Sequence, residues 1–130
     1  MKENRKIKTP NSKLPSITPS GKKDHNFSQL VFEIVRQIPK GRVTSYGAIA
    51  QSLGLEKSAR MVGWALSNCS NAAPKVPAHR VVNSSGVLSG RHAFKTPTLM
   101  QELLEKEGIV VKNNKVIHFK KYFWDPMEEL

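Results

Sequence analysis

Between Phe27 and Ile38 the apolar residues Phe27, Leu30, Val31, Ile34, Val35 and Ile38 recur three and four positions apart, which draws one stripe along a helix. The pattern predicts a core helix opening at Asn26, which can cap it with Gln29 at the reciprocal capping-box position. Pro39-Lys40-Gly41 closes it, and Arg42-Val43 reads as a short extended link. Thr44 or Ser45 can cap a second helix that runs through Leu53 until Gly54 breaks the chain. A third helix is expected from about Lys57 or Ser58 to Asn68, with Met61, Val62, Ala65 and Leu66 facing inward. Two short helices around a Gly-containing turn suggest a helix-turn-helix, although many helical pairs share that spacing.

Val76 to Val82 and Val87-Leu88 read as extended segments around the turn Asn83-Ser84-Ser85-Gly86, the position of a wing. Thr96 caps and Pro97 opens a last helix striped by Leu99, Met100, Leu103 and Leu104 and ended by Gly108. Ile109 to Val111 and Lys115 to Phe119, turning near Asn113-Asn114, form a closing hairpin, and Tyr122, Phe123 and Trp124 pack on the body. The expected class is mainly α with small β-hairpins, laid out like a winged helix-turn-helix. Residues 1–24 have neither period and hold Pro10, Pro15, Pro19 and Gly21, so they read as a disordered basic arm ahead of one domain at 25–130.

The chain has 130 residues, enough for one modest core, with a net charge of +11. Seven cationic and two acidic side chains lie in the first 25 residues, so just over half of the net charge belongs to the rest of the chain. A polyanion is the natural partner for such a balance. The single cysteine, Cys69, excludes an internal disulfide, and no Cys or His cluster has zinc spacing; neither metal nor cofactor is expected. His92 and His118 read as surface histidines. No apolar run suits a membrane span and the basic N-terminus lacks the apolar core of a secretory signal, so the expected location is with the DNA, cytoplasmic in a bacterium or nuclear in a eukaryote.

Gly41-Arg42-Val43-Thr44-Ser45-Tyr46-Gly47, then Ser58-Ala59-Arg60-Met61-Val62-Gly63, then Pro77-Ala78-His79-Arg80-Val81-Val82 stand in this order over roughly residues 27 to 119. Together they resemble the O6-alkylguanine-DNA alkyltransferases, the methylated-DNA-protein-cysteine methyltransferase family, whose members carry cysteine where this chain has Ala78. The resemblance implies a winged helix-turn-helix that enters the minor groove and flips the damaged nucleotide into a pocket. Ser45 and Tyr46 would then meet DNA, the tyrosine crowding the phosphate beside the target. Arg60 would be the finger that fills the vacated stack, a task suited to a flat guanidinium. Gly63 and Ala65 would keep the recognition helix thin, while Trp64 departs from the small residue of many relatives and either meets DNA or packs beneath the helix. The lesion pocket would draw on Pro77, Ala78, His79, Arg80, Val81, Asn83, Ser84, Ser85, Ser89 and Arg91, with Arg91 reaching the O6 atom of an alkylguanine. His79 and Glu107 match the base and the acid that orients it.

A methyl side chain has no lone pair to accept an alkyl group, so Ala78 leaves His79 and Glu107 without a nucleophile to activate, and no catalytic residue is expected. They and Arg80 read as a polar frame around the pocket. Cys69 lacks the Pro-Cys-His-Arg context that would activate it, so an inert thiol is expected. The resemblance therefore implies a monomeric, non-enzymatic protein that binds O6-alkylguanine in duplex DNA and passes it to another repair pathway such as nucleotide excision repair. The rival readings are a methyltransferase using another nucleophile, which must end covalently labelled, and a winged-helix regulator, which must prefer a sequence over a lesion.

Overall fold

Leu30, Val31, Ile34, Val35 and Ile38 are all buried, as one face of helix α1 (Lys23–Gln37). The computed structural model describes residues 23–54, 59–69 and 75–130. The basic arm expected over the N-terminal segment therefore lies, for residues 1–22, outside the described residues. Helix α1 starts at Lys23, so Asn26 lies inside it and does not cap it. No glycine or proline stands between Gly21 and Asn26 to stop a helix from forming there. At the other end Arg42 N–H closes a turn on the Pro39 carbonyl, with Gly41 at φ 84° in the left-handed region that glycine tolerates.

Strand β1 (Thr44–Ser45) follows, and helix α2 (Tyr46–Ser52) continues from it. Ser45 is the cap: its hydroxyl accepts from Ala48 N–H at 3.0 Å. Replacing Ser45 by Ala should cost about 1 kcal/mol, the usual loss for an N-cap, measured as a lower midpoint in urea. Helix α3 (Ala59–Ser67) packs across α2 and α1. Val62, Ala65 and Leu66 are buried as expected, but Met61 is 52 % exposed. At about 100° per residue, Met61 lies on the row of Trp64, away from the inward stripe.

Residues Ala78–Arg80 form a single 3₁₀ turn leading into β2 (Val81–Val82), which corrects the extended segment expected from Val76 to Val82. The turn is closed by Arg80 N–H on the Pro77 carbonyl at 3.0 Å. Strand β2 does not pair with Val87-Leu88 as a wing hairpin would; it runs parallel to β1, Thr44 opposite Val81 and Ser45 opposite Val82. Because side chains alternate across a strand, Val81 enters one core with α1, α2, α3 and Trp124. Val82 enters a second with Val43, Leu88, Met100, Leu104 and Ile109. This short pair is thus the seam between the two halves of the core.

The turn after β2 is held by Asn83, whose carboxamide oxygen accepts from Ser85 N–H at 2.9 Å and Val87 N–H at 2.8 Å. Val87 then bridges Lys115 of the closing hairpin. A second 3₁₀ turn, Arg91–Ala93, precedes helix α4 (Leu99–Lys106). The helix opens after Thr98 and not at Thr96-Pro97: Leu99 N–H still bonds Thr96 in a tight turn, and Glu102 N–H makes the first helical bond to Thr98. Gly108, at φ 89°, ends it as expected. Gly108 N–H reaches Glu105 and Ile109 N–H reaches Leu104, a Schellman closure that fixes Glu107 as the cap.

Strands β3 (Val111–Lys112) and β4 (Lys115–Val116) form the expected hairpin. Asn113 and Asn114 both have positive φ, as a two-residue I′ turn requires. The second arm ends early, since Phe119 belongs to the helical turn α5 (Phe119–Tyr122) after His118 at φ 60°. The chain closes with α6 (Pro126–Glu129), capped by Asp125. The C-terminal aromatics do anchor the body: Val43 N–H bonds Tyr122, Trp124 N–H bonds Val43, and Arg42 donates to the Tyr122 and Phe123 carbonyls.

Candidate nucleic-acid interface

Tyr46 opens α2 with its ring against α3, where a Cβ on Gly63 would stand 3.7 Å from two ring carbons. Gly63 therefore faces the tyrosine at ordinary contact distance, with room for a methyl group. Burial raises the pKa of its phenol above the ordinary value, against the opposing pull of the nearby Ser89 hydroxyl, and keeps it neutral. A Cβ on Gly90 would collide with the Tyr46 hydroxyl. Tyr46 thus ties α3 to the 89–91 loop, and the bare backbone of Gly90 is what admits it.

Arg60 is the second residue of α3 and is exposed. Trp64, one turn later, is 66 % exposed, so it points outward and does not pack beneath the helix. Ala65 is 1 % exposed inside the first core, which removes it from any groove-facing surface. The correction has a simple cause: a step of one residue turns the helix by about 100°, from Trp64 in solvent to Ala65 against α1. Ser45, also expected to meet DNA, is buried with its hydroxyl engaged in the α2 cap.

The 3₁₀ turn after Pro77 aims two side chains at Glu107. His79 Nε2 lies 2.8 Å from Glu107 Oε2. Arg80 donates to the same carboxylate from Nε and from Nη2, the latter at 2.8 Å, and sends Nη1 to the Ile38 carbonyl at 2.9 Å. Gly41 N–H donates to Glu107 Oε1 at 3.0 Å. With its side chain 7 % exposed, Glu107 is pushed up by burial but pulled further down by Arg80, the Gly41 amide and His79, to about 2. Burial lowers the pKa of His79 and outweighs the nearby carboxylate. A neutral His79 facing an acceptor-only carboxylate must carry its proton on Nε2, which leaves Nδ1 as a lone-pair acceptor. Ala78, the residue beside it, is half-buried and offers that nitrogen nothing to deprotonate.

Around this frame, Pro77 and Asn83 are half-buried, Ser84, Ser85 and Ser89 are exposed, and Asn83 is occupied with its own turn. Val81 is completely buried in the core and drops out of the expected pocket lining. Arg91 is half-buried in the loop of Ser89, with Nη1 donating to the Leu88 carbonyl at 2.9 Å. A groove of about 710 Å³ opens elsewhere, between α2, Ser84 and the aromatics Phe119 of α5 and Phe123 just after it; of the expected residues it takes in only Ser45 and Ser84. Cys69 packs against the first core, and burial raises its thiol pKa, the reverse of an activated nucleophile. Among the described residues no three His, Cys, Asp or Glu side chains come together as a metal site, and no helix is long and apolar enough to cross a membrane.

Three contributors were not anticipated. Gly41 supplies a donor to Glu107, signalled only by its place in the Pro-Lys-Gly turn. Gly90 admits Tyr46, and the outward Met61 was misplaced although it stands three residues from Trp64.

Residues 26–109 match the model of the 6-O-methylguanine DNA methyltransferase DNA-binding domain. The chain belongs to this family. The DNA base-flipping protein of Vibrio parahaemolyticus is 41 % identical over 98 residues, covering 74 % of this chain and 93 % of its own. Alkyltransferase-like protein 1 of Schizosaccharomyces pombe is 34 % identical over 104 residues, 77 % of this chain and 95 % of its own. The crystal structure of S. pombe Atl1 in complex with damaged DNA containing O6-carboxymethylguanine matches with a TM-score of 0.68 at 32 % identity, over 77 % of this chain and 95 % of that one. The mainly helical family fold, with small sheets, is therefore that of this chain.

Proposed function

We propose that this protein is a non-enzymatic sensor of O6-alkylguanine in duplex DNA. The observation that carries the reading is an oriented base with nothing to activate: neutral His79 is held by Glu107 next to Ala78, the position to which the resemblance assigns the acceptor cysteine. The remaining thiol, Cys69, is packed against the core with its pKa raised. Binding through the minor groove turns the modified nucleotide out of the stack, with Tyr46 crowding the adjacent phosphate and Arg60 filling the gap. Pro77, Ala78, His79 and the 83–91 loop receive the base. O6-alkylation removes the N1 proton and leaves acceptors toward the pocket, which the Arg91 guanidinium satisfies. The protein acts as a monomer where the DNA is, its basic arm adds phosphate contacts, and the bound lesion passes to another pathway such as nucleotide excision repair.

Prolonged incubation with duplex bearing O6-methylguanine should leave both partners chemically unchanged, as read by mass spectrometry. A protein heavier by one methyl group, or restored guanine, would replace this reading by a methyltransferase using another nucleophile.

A further inference from the structure

The inward row of α3, Val62, Ala65 and Leu66, leaves Arg60, Met61 and Trp64 outside. Folding does not require an indole in water: the other tryptophan, Trp124, is 3 % exposed, whereas Trp64 is 66 % and Met61 52 % exposed. The helix carries no acidic residue, and Arg60 stands one turn before Trp64. A flat apolar surface beside a cation, in a chain of net charge +11, is complementary to a polyanion whose charges alternate with sugars and aromatic faces. Duplex DNA has that chemistry, and minor-groove proteins use apolar wedges against it.

We infer that Trp64, flanked by Met61, is a second duplex-contacting wedge that packs on the nucleotides flanking the lesion. The inference rests on the lesion-sensor reading and adds a contact to it. One helical turn advances about 5.4 Å and one base step about 3.4 Å, so Trp64 meets a neighbouring step and not the modified base. Its contribution is therefore common to damaged and intact duplex, and being apolar it adds nothing to the salt dependence.

Trp64→Ala should weaken binding to matched duplexes with and without O6-methylguanine by a similar factor, about 5- to 140-fold for a lost stacking contact. Trp64→Phe should recover most of the affinity, and the slope against salt should match the wild type in both variants. Tryptophan emission gives an independent readout: saturating duplex should quench the wild type, while Trp64→Phe, which reports only buried Trp124, should not respond. Full affinity in Trp64→Ala, or wild-type emission unmoved by saturating duplex, overturns the wedge. A wild type that prefers the lesion beside a Trp64→Ala protein that loses nothing removes the wedge and leaves the sensor reading standing. Affinity lost in Trp64→Ala without any lesion preference in the wild type keeps the wedge and removes the sensor reading.

Discussion

Glu107→Ala should lower the stability of the protein by about 3 to 5 kcal/mol, the scale expected when one member of a buried, hydrogen-bonded charge pair is removed. The loss follows from what is left behind: the Arg80 guanidinium loses the carboxylate that meets its Nε and Nη2 groups, and the Gly41 amide and His79 lose their acceptor. Glu107→Gln, which keeps an acceptor oxygen without the charge, should lose less. The same carboxylate governs the acid response. Its pKa falls from 4.5 in the unfolded chain to about 2 in the fold. It therefore contributes about 3 kcal/mol above pH 5, and that contribution disappears as pH drops from about 5 toward 2. His79 acts with the same sign, because its lowered folded pKa means that stability is lost as pH falls below 6.5. Urea midpoints recorded from pH 7 to pH 3 should decline steeply for the wild type and flatten for Glu107→Gln. Parallel declines would show that the carboxylate is not the group being titrated.

The second large effect lies on α3, the helix proposed to meet DNA. Arg60→Ala should weaken binding to lesion-bearing duplex by about 1 to 3 kcal/mol, the range for a lost stacking or bidentate contact with nucleic acid. Arg60 is exposed, and alanine is a good helix former, so the circular dichroism spectrum should not change. Tyr46→Phe removes only the hydroxyl beside Ser89 and Gly90 and keeps the ring against Gly63, whereas Tyr46→Ala removes both. The phenylalanine variant should accordingly bind better than the alanine variant. Unchanged affinity in both Arg60→Ala and Tyr46→Ala, with the fold intact, would remove nucleotide flipping from the mechanism.

Features set by local chemistry were legible in the chain. The stripe of α1, the Ser45 cap, the left-handed Asn113-Asn114 turn and the Gly108 stop each depend on a few adjacent residues. His79 and Glu107, 28 residues apart, came from family resemblance, because no local pattern reveals which carboxylate a histidine will meet. A single residue decides a face where local pattern is ambiguous. Val81 stands inside a motif yet turns into the core, Ala65 keeps the inward half of its double reading, and Met61 turns out of the core. The Val76 to Val82 run looked extended from its β-branched residues. Three of its positions coil instead, in the turn that presents both His79 and Arg80 to Glu107.

Lesion preference is the central claim, and its direct measurement is binding to matched duplexes, with and without one O6-methylguanine, at several salt concentrations. Two variants locate the preference. Deleting residues 1–22, ahead of α1, removes the cations of the proposed arm, whose phosphate contacts are common to both duplexes, so both affinities should fall together and the salt dependence should flatten. On the proposed pocket Arg91 is the donor that meets O6, where the two duplexes differ, so for Arg91→Ala the damaged-to-intact ratio should fall while the salt slope stays nearly unchanged. The wild type should bind the methylated duplex more tightly than the intact one at every salt concentration. Equal affinity for the two duplexes would contradict the claim.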